Sequence, residues 1–89
     1  MRTIYKFPLA EHSDDKGIVH LEIPHKAKIL RVDLQNGKSC IWVEFRKDDD
    51  KITRKFKVFG TGWDIPYGFD HVATWFEDPF VWHLYEVKQ

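Results

Sequence analysis

The sequence predicts an all-β fold, an antiparallel β-sandwich or small open barrel of about seven short strands. Three observations predict it. Apolar and polar residues alternate with a period of two along most of the chain, the signature of strands whose successive side chains point to opposite faces. Proline, Asn-Gly, Asp-Pro and charged clusters interrupt that alternation at short intervals, as tight turns do. No segment sustains the 3.6-residue apolar period of a helix. At 89 residues the chain is one domain with a small core, 1–89.

The first strand is expected over Thr3 to Phe7, ended by Pro8, and Glu11 to Gly17 reads as a polar turn. The second runs from Ile18 to Ile23 with Val19, Leu21 and Ile23 on one face. Pro24 breaks it, and Pro24 to Ala27 turns the chain. The third spans Lys28 to Leu34 with Leu30, Val32 and Leu34 inward. Asn36-Gly37 then predicts a two-residue type I′ hairpin.

The fourth strand, Ser39 to Arg46, shows Ile41, Val43 and Phe45 on one face and Cys40, Trp42 and Glu44 on the other. Lys47 to Lys51 is expected as a charged hairpin tip. The fifth, Ile52 to Phe59, carries Ile52, Phe56 and Val58 on one side, with Arg54 interrupting them, and Thr53, Lys55 and Lys57 on the other. Its lysines read as the guard of an edge strand. Gly60 to Phe69 is irregular, rich in glycine, proline and aromatics. The sixth strand is His71 to Phe76, Asp78-Pro79 turns the chain, and the seventh is Phe80 to Val87. Both faces of that last strand are apolar, which marks a central strand or an interface.

Composition narrows the function classes. The chain has 14 basic and 14 acidic residues, for a formal net charge of zero. Duplex binders usually carry a basic excess, so this balance argues against nonspecific nucleic-acid binding. Cys40 is the only cysteine, so no intrachain disulfide can form, in keeping with a reducing cytoplasm. No apolar run approaches the ~20 residues of a membrane span. Aromatics reach 16%, including Trp42, Trp63, Trp75 and Trp82. So many large rings cannot all be buried in so small a body, and at least one is expected at a groove or interface.

The chemistry-bearing motifs point to binding. The histidines include no His-x-His pair, and His20 with Glu22 is the nearest approach to a metal pair. No metal and no cofactor are expected. Cys40 lies mid-strand without a nucleophile elbow. The aspartate runs Asp48 to Asp50 and Asp14-Asp15 read as solvated turns. No catalytic residue is assigned, and the chain is not expected to be an enzyme. The distinctive local motif is Gly60-Thr61-Gly62-Trp63 at the end of an alternating strand. Successive N–H groups of a glycine turn can cradle an anion. The expected ligand site is therefore Gly60, Thr61, Gly62 and Trp63, with Arg54 for charge and Trp42 as a second stacking surface. Trp82, His83 and Tyr85 of the last strand are expected at an interface.

Five segments also carry a resemblance. They are Thr3 to Leu9 (TIYKFPL), Ile23 to Leu30 (IPHKAKIL), Ile41-Trp42-Val43, Phe56 to Gly62 (FKVFGTG) and Phe80 to Glu86 (FVWHLYE). In this order they resemble a group of small uncharacterised proteins of tailed phages and prophages. The chain departs from that group at His25-Lys26, where the group prefers Lys-Gly, and in the spacing after Trp63. The resemblance implies a phage accessory protein acting in the host bacterial cytoplasm. Beyond the resemblance, the chain is expected to be a non-enzymatic homo-oligomer that counters bacterial immunity, as small phage proteins often do.

 The leading expectation is sequestration of a nucleotide-derived immune signal. The alternatives are inhibition of a host defence protein through an aromatic β face, and a minor virion or assembly component.

Overall fold

The structure, a computed structural model, describes residues 1–89. It contains seven strands, β1 (Arg2–Pro8), β2 (Ile18–Pro24), β3 (Lys28–Gln35), β4 (Lys38–Arg46), β5 (Lys51–Gly60), β6 (Phe69–Glu77) and β7 (Phe80–Val87). One 3-10 turn, Leu9–His12, follows β1. It lies in a stretch expected to be irregular, and it drops Leu9 into the core. No helix is long and apolar enough to cross a membrane.

The strands form two antiparallel sheets, one ordered β1-β4-β3 and the other β2-β5-β7-β6. They face each other as a sandwich and do not close into a barrel. Alternation decides which side of each strand is inside. Val19, Leu21 and Ile23 of β2 meet Ile41, Val43 and Phe45 of β4, with Phe56, Trp75 and Leu84, in one buried cluster. Phe56 is completely buried, which by area alone stabilises the fold by about 1.5–3 kcal/mol. Trp75 Nε1 donates to Ser39 Oγ at 3.0 Å, so a buried indole also ties β6 of one sheet to β4 of the other.

The β3–β4 hairpin has the expected turn. Asn36 and Gly37 both have positive φ, 53° and 76°, as a type I′ turn requires. β7 lies inside its sheet, between β5 and β6, the central place its two apolar faces predict; Leu84 reaches the core, and Val81, Tyr85 and Val87 are half-buried on the outer face.

Three expectations are corrected. Lys47 to Lys51 is not a hairpin tip, because β4 pairs with β1 and β3 while β5, which begins at Lys51, pairs with β2 and β7. The charged turn carries the chain from one sheet to the other. β5 is not an edge strand either, since β2 and β7 flank it. Lys55 and Lys57 stand on the outer face of the sheet, where Lys57 Nζ lies 5.7 Å from the Phe59 ring centroid. Finally, a register shift between Ile29 and Arg31 flips the start of β3. Ile29 packs against the core, and Leu30 is turned out and exposed. A bulge adds one residue to one strand and so exchanges its faces.

Candidate functional site

Gly60 ends β5, and its carbonyl accepts the Trp63 N–H at 3.1 Å. Gly62 has φ 90°, the positive value that a type II turn needs at its third residue. The turn returns the Trp63 indole over Gly60. A Cβ at Gly60 would lie 2.8 Å from Trp63 Cε2, so only glycine leaves the ring its seat. Trp63 meets Trp82 edge-on, with centroids 6.1 Å apart and planes at 76°. Trp82 stacks on Phe80 at 5.4 Å and 25°. The Trp82 Nε1 donates to Glu77 Oε1 at 2.8 Å, which fixes that ring. Between the loop and the β6–β7 hairpin lies a cleft of about 400 Å³, lined by Gly60, Thr61, Trp63, Pro79, Phe80 and Trp82 among others. Trp82 also lines a neighbouring concavity of about 440 Å³ at the end of the sandwich, with Leu9, Val58 and Trp75.

Beside the cleft, hydrogen bonds run across the outer face of the second sheet. His71 Nε2 lies 2.8 Å from Thr74 Oγ1, and Thr74 Oγ1 lies 2.9 Å from His83 Nδ1. His83 Nε2 lies 2.9 Å from Thr61 Oγ1, and Thr61 Oγ1 donates to the Val81 carbonyl at 3.4 Å. Proton counting orients this chain. A carbonyl only accepts, so the Thr61 hydroxyl gives its proton to Val81, and His83 Nε2–H donates to Thr61. His83 Nδ1 then accepts the Thr74 hydroxyl proton, and Thr74 accepts from His71 Nε2–H. Every member is satisfied in this arrangement. This row of hydrogen bonds includes no carboxylate. It braces the glycine loop against β7 and places two imidazoles next to the cleft.

The expected site residues therefore separate into groups. Gly60, Thr61, Gly62 and Trp63 come together, and Trp82 and His83, expected at an interface, join them. Tyr85 lies further along the outer face, 5.3 Å from the His71 ring and 5.5 Å from the Phe59 ring, edge-on to both. Two expected ligand residues lie elsewhere. Arg54 sits six residues before Gly60 on the same strand, about 20 Å away. Its Nε and Nη2 donate to the two Glu86 carboxylate oxygens at 2.6 and 2.7 Å. Its Nη1 donates to the Ala27 carbonyl at 2.9 Å. Trp42 belongs to the other sheet and stands on its outer face, beside Lys6 and Arg31 in the strand register. The Trp63 N–H is also committed to closing the turn, so the loop offers an anion fewer free amides than its sequence implies.

Sequence reasoning missed Phe80, His71 and Thr74. The signal for one of them was the Asp78-Pro79 turn. With Glu77 opposite Phe80, counting back along the hairpin places Thr74 opposite His83, the pair observed. The bulge between His71 and Ala73 hides His71 from the same count. The two carboxyls held below the ordinary range, Asp14 and Asp33, are not among the cleft residues.

This chain matches, over residues 1–89, the family described as "Domain of unknown function (DUF7352)". The chain belongs to this family. The match covers all seven strands and the whole candidate site. No curated protein and no solved structure matches the chain. The family description states neither an organism nor an activity.

Proposed function

We propose that this DUF7352 protein is a non-enzymatic binding protein of a phage or prophage. It counters bacterial immunity by sequestering a nucleotide-derived signal, as a homo-oligomer in the host cytoplasm. The observation that carries this reading is the aromatic cleft, in which Trp63, Trp82 and Phe80 surround a glycine turn. A planar heterocycle stacks on such rings with about 1–3 kcal/mol per base, whatever the base. Gly60 and Gly62 let the ligand approach the backbone closely. The cationic partner for a phosphate is no longer Arg54. A phosphate extending from the cleft along the outer face would meet Thr61 and then His83 and His71, and would bind by exchanging the hydrogen bonds these groups make with one another and with Thr74 for bonds to its own oxygens.

The test is native mass spectrometry of the protein incubated with an extract of immune-activated bacteria. The expected result is a multimer carrying an added mass typical of a nucleotide. The Trp63→Ala protein should lose that mass while staying folded, because Trp63 is 58% exposed. Wild-type protein without an added small mass, or a mass retained by Trp63→Ala, would overturn the reading.

One observation favours a second reading, inhibition of a host defence protein. Ile65 and Tyr67 of the loop and Phe76 and Phe80 of the β6–β7 hairpin are exposed, Phe76 and Phe80 by 66% and 55%. Large apolar side chains left in solvent mark protein-binding surfaces. Under this reading the extract yields a bound host protein in place of a small mass, and Phe76→Ser with Phe80→Ser abolishes it.

A further inference from the structure

A formal net charge of zero hides a strong segregation of charge. The register of β1, β4 and β3 places Arg2, Lys6, Lys28, Arg31, Lys38 and Arg46 on the outer face of the first sheet. All six are exposed. The same face holds only two carboxylates, Glu44 and Asp33. Glu44 lies 3.6 Å from Arg2, and Asp33 lies 2.7 Å from Arg31. Lys28, Lys38 and Arg46 make no ion pair, and Lys6 donates only to the neutral amide of Gln35, at 2.7 Å.

Trp42 stands in the middle of this face. Lys6 is its partner on β1 and Arg31 its partner on β3. Neighbouring strands lie about 4.8 Å apart, so the indole is flanked on both sides by a cation. The cations extend along the strands from Arg46 to Lys38, roughly 27 Å at ~3.4 Å per residue. Trp42 is half-buried and Leu30 is turned out beside it by the bulge. Such a face offers what single strands use, an aromatic platform for an unstacked base and a cationic track for the backbone.

We propose that the outer face of the β1-β4-β3 sheet binds single-stranded nucleic acid, with Trp42 stacking on a base and the surrounding lysines and arginines contacting phosphates. The six cations exceed the two carboxylates by four charges, enough to engage about four phosphates, so binding depends strongly on salt. This surface lies on the other sheet from the aromatic cleft, and it stands or falls without that site.

The experiment is fluorescence anisotropy of a labelled oligothymidylate of about 15 nucleotides, titrated with the full chain at about 50 mM and about 200 mM salt. Wild-type protein should bind at the lower salt and lose about 50-fold in affinity at the higher, from a slope of ~0.7 per phosphate. Lys6→Glu with Arg31→Glu should weaken binding more than about tenfold, and Trp42→Ala by about five- to hundredfold. Lys28→Glu with Lys38→Glu is the second charge reversal, free of any side-chain bond within the face, and circular dichroism checks the fold of each. Absence of binding by wild type at low salt would overturn the proposal, as would full binding by the folded charge-reversed proteins. Undiminished binding by Trp42→Ala would reduce the face to a general polyanion surface and equally overturn it.

Discussion

Arg54 grips both oxygens of the Glu86 carboxylate, at 2.6 and 2.7 Å, from the inner side of the sheet. Their side chains are only 11% and 20% exposed. Arg54 also holds the Ala27 carbonyl in the β2–β3 turn and lies 5.8 Å from the Phe56 ring centroid. One guanidinium thus ties two strands of the second sheet to the β2–β3 turn, one of the places where the chain passes between the sheets. Arg54→Ala would leave Glu86 charged and unpaired in a partly dry site. It should destabilise the protein by about 2–4 kcal/mol in urea unfolding, somewhat less than the ~3–5 kcal/mol of a fully buried pair, because both side chains keep some contact with water. Arg54→Met combined with Glu86→Leu should recover part of that loss, because the desolvation of both charges disappears with them.

Gly60→Ala tests the cleft separately from the fold. The new methyl group would displace the Trp63 indole, which is free to swing outward. The stability loss should stay below about 1.5 kcal/mol. Near-ultraviolet circular dichroism should lose the contribution of the Trp63–Trp82 pair, and capture of the small ligand should fall at least tenfold. A full loss of fold would show instead that the indole is fixed from the solvent side.

Thr61→Val removes the hydroxyl that His83 and Val81 share. The site is exposed, so the stability cost should be about 0.5–1.5 kcal/mol. Amide hydrogen exchange in the Gly60–Gly68 loop should quicken, with exchange in β2 unchanged. Equal exchange in the loop would mean that the Gly60–Trp63 turn alone holds it.

Asp14 sets part of the acid stability. A hydrogen bond from His20, then the Ile18 and Lys16 backbone N–H groups, lower its pKa from 3.8 to about 2. A carboxyl lowered in the folded state stabilises the protein fully above its unfolded pKa of 3.8, and that contribution is lost as pH falls through about 2. Asp14→Asn should therefore lower the melting temperature at neutral pH and lose less between pH 4 and pH 2 than wild type does. Nuclear magnetic resonance titration of the Asp14 carboxyl checks the midpoint directly.

Leu84→Ala should be the most damaging single truncation in β7. Leu84 is fully buried, in the cluster that also holds Phe56 and Trp75. Such a cavity costs about 2–5 kcal/mol, a large share of the total for a small domain. Thermal unfolding should show a drop of ten degrees or more, on the order of 4–8 °C per kcal/mol.

The sequence by itself determined the strands, the inward faces of those without a bulge and the Asn36-Gly37 turn, because these follow from the two-residue period and from backbone angles local to a few residues. It also marked Gly60 to Trp63, since a glycine pair around a turn is a local constraint. The tertiary structure alone decided which strands are neighbours. Alternation says that Arg54 interrupts an apolar face, but only the pairing of β5 with β7 brings it to Glu86. Alternation likewise puts Trp42 opposite Ile41, but only the β1-β4-β3 order surrounds it with cations. Bulges at Leu30 and Val72 shift the faces by one residue, and nothing in a period of two announces them. Contacts between residues about thirty positions apart depend on sheet order, and sheet order is a property of the whole packed core rather than of any one segment.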